Sequence, residues 1–136
     1  MQLLTIFAKF LTKDVYRDLF VARAHDGHCI NIAKNFILAH ASEPLHLRDV
    51  AQQVHVSTNY LSKFFKKATG IGFSEFLTRV RVENVKNKLA NLVLPINEVA
   101  DQAGFGSLSQ FNRAFHHYVG CSPKEYRASL LQDHSL

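Results

Sequence analysis

Two stretches of this chain place hydrogen-bonding side chains at helical spacing with no acid among them. In the first, Thr58, Asn59, Tyr60, Ser62, Lys63, Lys66 and Lys67 lie between the apolar residues Leu61, Phe64 and Phe65. In the second, Leu108, Ser109, Gln110, Asn112, Arg113, His116 and His117 surround Phe111 and Phe115. Apolar residues three and four apart bury one face of a helix, so the polar set between them points outward. The chemistry available is the reading of base edges. Asn and Gln amides can pair with two positions of adenine, and Arg or Lys with O6 and N7 of guanine. Ser and Thr hydroxyls serve bases or phosphates. A helix face that is merely solvated usually carries Glu among its charges, and neither stretch does.

Such side chains need rigid elements to aim them, and an internal repeat shows which. Leu47, Val50, Ala51, Val54 and Val56 recur as Ile96, Val99, Ala100, Ala103 and Phe105, an offset of 49. Leu61, Phe64, Phe65 and Gly70 recur as Phe111, Ala114, Phe115 and Gly120, an offset of 50, and Glu75-Phe76 returns as Glu125-Tyr126. The extra residue falls at Gly106, in a turn that can absorb it. Each copy reads as two short helices joined by a tight turn. Ala51 and Ala100 are small enough to let the second helix cross the first closely, as a helix-turn-helix requires. Val54 with Val56, and Ala103 with Phe105, bury the turn. Ser57 and Ser107 stand where a hydroxyl can accept the first N–H groups of the second helix.

The rest of the chain has the same period and almost no strand signal, which predicts an all-α fold. Residues 2–23 place Leu4, Phe7, Leu11, Val15 and Leu19 on one stripe, broken at Asp26-Gly27. A helix from about 28 to 40 turns Ile30, Ala33, Ile37 and Leu38 inward. After Ser42-Glu43-Pro44 come short helices from Leu47 to Val54 and from Thr58 to about Thr69, the latter stopped by Gly70. A long helix covers about Ser74 to Asn91. Pro95 opens a short helix to Ala103, the next runs from Ser107 to about Tyr118 before Gly120, and Pro123 begins a last helix ending near Leu130. About eighteen residues of long helix span roughly 27 Å. A spacer of that size can hold two reading helices near one duplex turn apart, about 34 Å.

Composition bounds the function classes. The 136 residues suffice for one domain, or two small ones sharing a core, and 47% are hydrophobic, so a packed interior is expected. Sixteen Lys and Arg against 11 Asp and Glu favour a polyanionic partner such as double-stranded DNA. No stretch reaches the roughly 18 unbroken apolar residues of a membrane helix. The N-terminus lacks a basic start and a small-residue cleavage site, and Lys9, Lys13 and Asp14 interrupt its apolar run. A cytoplasmic location is therefore expected. Of eight histidines only His116 and His117 are adjacent. Adjacent residues diverge by about 100° on a helix, so no metal site and no cofactor are expected. No catalytic triad, carboxylate pair or phosphate loop marks the chain as an enzyme. Cys29 and Cys121 fit no ligand spacing and are expected to be reduced and buried. Exposed aromatic platforms at single-strand spacing, which RNA binding would use, are missing.

From about His28 to Leu130, roughly three quarters of the chain, the sequence resembles the DNA-binding domain of AraC/XylS-type regulators. The resemblance rests on LRDVAQQVHVSTNYLSKFFKKATGIGFSEFLTRVRVENVKNKL and INEVADQAGFGSLSQFNRAFHHYVGCSPKEYR. The second run contains A-x-x-x-G-F-x-S, F-x-R-x-F and G-x-S-P-x-E-Y-R. The resemblance implies seven helices in two subdomains joined by the long helix, and transcription control, usually activation, with RNA polymerase as a partner. It places base contacts on Asn59, Ser62 and Lys63, and on Ser109, Gln110, Asn112 and Arg113. Backbone contacts fall on Thr58, Ser107 and His116, and Lys66 and Lys67 complete the phosphate-facing set. Two residues depart from the pattern. His46 stands where Ser or Thr usually caps, which predicts a weaker cap. Leu108 stands where a polar residue is common, to meet a thymine methyl or to pack.

The domain reading that follows has a helical segment at 1–27, a DNA-binding domain at 28–131 and a tail at 132–136. The first helix-turn-helix covers about 47–68 and the second about 96–119. Two roles stay open for residues 2–23, pairing two copies as a homodimer or folding back on the same chain. A competing function from another class is a helical protein-interaction module that keeps the repeat's core without affinity for DNA.

Overall fold

The computed structural model describes residues 27–134, and among them seven helices and no strand. Residues 27–40 form α1. They are followed by α2 (Leu47–Gln53), α3 (Thr58–Thr69), α4 (Phe73–Leu89), α5 (Ile96–Gln102), α6 (Leu108–Val119) and α7 (Pro123–His134). The expected order holds, and the ends shift by a residue or two except at α7. That helix continues past Leu130 to His134, so residues 132–134 are helical rather than tail. Gly27, the first described residue, is already helical, and the break expected at Asp26-Gly27 lies at the edge of the described residues. The stripe Leu4, Phe7, Leu11, Val15 and Leu19 lies outside the described residues.

Local chemistry explains the boundaries. Ser57 Oγ accepts the N–H of Tyr60 and Ser107 Oγ that of Gln110, both at 3.1 Å, so each reading helix starts on a side-chain cap. Each ends at a left-handed glycine: Gly70 (φ 80) donates to Lys66 O at 2.8 Å and Gly120 (φ 89) to His116 O at 2.9 Å. Ser122 and Glu125 form a reciprocal capping box at the start of α7, at 3.1 and 3.3 Å. The cap of α2 is reinforced from inside the helix, where the Asp49 carboxylate accepts the His46 N–H at 2.8 Å. That bond offsets the unusual residue at the cap, which the sequence predicts to be weaker.

Two cores form, one on either side of a point within α4. The first gathers Ala33 and Ile37 of α1, Val50 and Ala51 of α2, Leu61 and Phe65 of α3, and Leu77 of α4. The second takes Val82, Val85 and Leu89 from the rest of α4 and packs them on Val99, Ala100, Phe111 and Phe115. The aromatic packing repeats with the sequence. Phe65 meets Phe76 edge-on at 5.2 Å, and Phe115 meets Tyr126 edge-on at 5.6 Å, fifty residues later. Two expectations about burial fail. Leu38, read as inward, is 55% exposed, because Ile37 takes the inward position beside it. Cys121 is only half-buried, whereas Cys29 is buried as expected, and neither forms a disulfide.

Candidate nucleic-acid interface

The two turns are built by the same three backbone bonds. In the first, Val54, His55 and Val56 donate to Val50, Gln52 and Ala51 carbonyls at 3.1, 3.2 and 3.0 Å. In the second, Ala103, Gly104 and Phe105 donate to Val99, Asp101 and Ala100 at 3.0, 3.0 and 3.2 Å. The central residue is left-handed in both, with φ 59 at His55 and φ 97 at Gly104. The correspondence at offset 49 runs through Phe105, so the inserted residue is Gly106, between Phe105 and the Ser107 cap. Ala51 and Ala100 are 2% and 3% exposed, which lets the paired helices cross with little side chain between them.

This scaffold turns the expected side chains to solvent. Thr58, Asn59, Ser62, Lys63, Lys66 and Lys67 are exposed on α3, and Ser107, Ser109, Gln110, Asn112, Arg113, His116 and His117 at the start of and along α6. Leu108 is 51% exposed at the first position of α6. Tyr60 departs from its expected outward place. It is half-buried, with its ring 4.2 Å from that of Phe64. Among the described residues, no hydrogen bond or ion pair engages the side chains of Asn59, Ser62, Lys63, Ser109, Asn112 or Arg113. Their donors and acceptors are available to an external edge. Ser107 Oγ accepts from Gln110 N–H, which leaves its own proton free to donate.

Ser62 of α3 and Gln110 of α6 line one groove of about 620 Å³, together with Leu45, Phe73, Thr78 and Arg81. One side chain from each of α3 and α6 therefore reaches a common groove. A second cleft of about 470 Å³ flanks α6, with Ile96, Leu108 and Pro123 as apolar walls and Asn112, His116 and Lys124 at its rim. Among the described residues no three His, Cys, Asp or Glu side chains gather as metal ligands, and no helix is long and apolar enough to cross a membrane.

Sequence reasoning missed two arginines that brace the scaffold. Arg81 donates through Nε to Ala41 O at 2.7 Å and through Nη2 to Glu43 O at 2.9 Å. Burial holds its guanidinium below its ordinary pKa. Arg127 donates to Leu89 O and Asn91 O, both at 3.3 Å. Each arginine satisfies carbonyls at or just past the end of an earlier helix, α1 or α4, where a cation also complements the helix dipole. The sequence signal for Arg81 was an arginine interrupting the apolar spacing between Leu77 and Val82, and Arg127 closes the G-x-S-P-x-E-Y-R run, which carries no bracing role by itself.

A helix-turn-helix domain family matches residues 50–129. A solved AraC-type DNA-binding regulator from Chromobacterium violaceum superposes with a TM-score of 0.73, at 26% identity, over 80% of this chain and 97% of that one. The chain belongs to the AraC family. Its AraC-type fold also matches the DNA-binding domain of AdpA, a global transcriptional factor solved with a target DNA. There the TM-score is 0.69 at 25% identity, over 74% of this chain and 90% of that one. Among curated relatives, the Msm operon regulatory protein of Streptococcus mutans is 31% identical over 101 residues, which is 74% of this chain. The chain spans 36% of that relative's length and 13% of several staphylococcal helix-turn-helix regulators. The two solved structures share with this chain the helical fold described above, and both are DNA-binding transcription regulators by name.

Proposed function

We propose that this AraC-family chain binds double-stranded DNA sequence-specifically by inserting α3 and α6 into successive major grooves, and that it acts as a transcription activator. The observation that carries this reading is the pair of capped, acid-free helices, of which Ser62 on α3 and Gln110 on α6 line one groove. Asn59, Ser62 and Lys63 on α3, and Ser109, Gln110, Asn112 and Arg113 on α6, are the base-reading set. Thr58, Lys66, Lys67, Ser107 and His116 hold phosphates. The chain acts by binding and carries out no catalysis, in the cytoplasm where bacterial DNA lies. RNA polymerase is the partner through which activation proceeds. Pairing of two copies through residues 2–23 belongs to the same proposal.

Selection of bound duplexes from a random pool tests it. The expected product is a bipartite site whose two conserved blocks lie about one helical turn apart. Affinity for it should fall steeply with salt. A pool that yields no enriched sequence, from a chain that shows no salt-dependent affinity for any duplex, would sink the proposal and favour a protein-interaction module. Transcription in vitro from a promoter carrying the selected site then separates activation from repression.

A further inference from the structure

Position 104 differs from its repeat partner in a way the turn alone does not explain. The equivalent residue of the first turn is His55, which holds φ 59 and carries an exposed side chain. A left-handed residue in this turn therefore tolerates a side chain when space is free. At Gly104 space is taken. A β-carbon built there would stand 2.6 Å from Ala41 O, 3.0 Å from Arg81 Nε and 3.0 Å from the Ser42 carbonyl carbon. Ala41 and Ser42 belong to the first unit, and Arg81 to the stretch of α4 between the two cores. The turn of the second helix-turn-helix thus lies directly against the turn that follows α1, with nothing between them.

Arg81 sits at the centre of this contact. It lies on α4 between Leu77, the last α4 residue of the first core, and Val82, the first of the second. Its Nε bonds Ala41 O at 2.7 Å, the same oxygen that crowds Gly104. Arg79, two residues before it, sits 5.3 Å from the ring centroid of Tyr118 on α6, a further link between the front of α4 and the second reading helix. A long helix alone can bend between two cores. A backbone-to-backbone contact beside a charged hydrogen bond resists that bending, because any rotation of one unit on the other must open it.

We propose that Arg81 and Gly104 form a joint that fixes the separation and angle of α3 and α6, and with them the spacing of the two DNA blocks the chain accepts. Arg81 and Gly104 are positioning residues, which act through the reading helices without touching DNA. The proposal rests on the two-groove reading above.

The test uses the full chain and duplexes carrying the two selected blocks at separations varied one base pair at a time. Each base pair turns one block by about 35° relative to the other. The unaltered chain should show a sharp optimum, losing roughly tenfold on a one-base-pair change. Gly104→Ala and Arg81→Met should flatten that profile to about threefold or less, or move its optimum, and Gly104→Ala should do so while affinity for a duplex with a single block stays unchanged. Arg81→Lys, which keeps one donor for Ala41 O, should restore part of the sharpness, and His55→Gly should change nothing. Retention of the original optimum and width by both Gly104→Ala and Arg81→Met would overturn the joint. Where one of the two variants does not fold, the other decides alone, and a profile identical to that of the unaltered chain overturns the joint.

A measurement without DNA separates this idea from the function it rests on. Spin labels at Lys67 and His117, with Cys29 and Cys121 replaced by Ala, report the distance between the reading helices. A narrow distribution that broadens on Gly104→Ala supports the joint even if no duplex binds. A distribution unchanged by that substitution rejects the joint even if the chain binds DNA as proposed.

Discussion

At the scale of single residues, the outward side chains divide by what each could lose. Among the described residues nothing engages the Arg113 guanidinium, and its fork matches the O6 and N7 of guanine. Arg113→Ala should cost about 1–3 kcal/mol on the selected site and relax the preference at one base position only, read by comparing single-base variants in a gel-shift assay. Lys66 and Lys67 lie in the last turn of α3. Replacing either with Ala should weaken all duplexes alike and lower the salt slope by about one, measured as affinity against salt concentration. Leu108 gives a third case. Under the proposed binding mode, Leu108, half exposed at the first position of α6, would meet a thymine methyl, the apolar feature of the major groove. Replacing the facing thymine with deoxyuridine should cost the unaltered chain about 0.8 kcal/mol, and Leu108→Ala should abolish that difference.

At the scale of elements, the caps and the aromatic pairs set the cost of losing a helix. Ser107→Ala removes the side-chain bond to the first turn of α6 and should lower stability by about 1 kcal/mol, read from a denaturant midpoint. Phe115→Ala leaves a cavity beside Phe111 and Tyr126 and should cost about 3–5 kcal/mol. Most of this level was legible in the sequence, since helix starts, stops and inward faces follow from local spacing and from the serines and glycines at each end. The exposed reading residues were legible for the same reason, because a face is fixed once Leu61, Phe65, Phe111 and Phe115 are known to be inside. Leu38 and Tyr60 were misjudged because neighbouring residues, Ile37 and Phe64, compete for the same surface. Arg81, Arg127 and the crowding at Gly104 were not legible. Their partners lie about 40 residues or more away along the chain, and no local pattern encodes such a pairing.

At the scale of the whole molecule, the two units are neither separate domains nor one core. Leu77 serves the first cluster and Val82, Val85 and Leu89 the second, so α4 is a wall of both. Hydrogen exchange on a Phe115→Ala variant should show protection lost across α5, α6 and α7 while α2 and α3 keep theirs, with the boundary inside α4. Uniform loss through both halves would mean that the two cores melt as one. The shared wall has a practical corollary for anyone dissecting the chain. Cut after Leu89, the front half would keep its own cluster but present Val82, Val85 and Leu89 to water as a sticky stripe. Cut before Phe73, the back half would gain α4 whole yet leave α3 without Phe73, Phe76 and Leu77. Neither cleavage yields two clean halves, so a protease-resistant single-unit fragment has to carry α4 and can be made only once from each molecule.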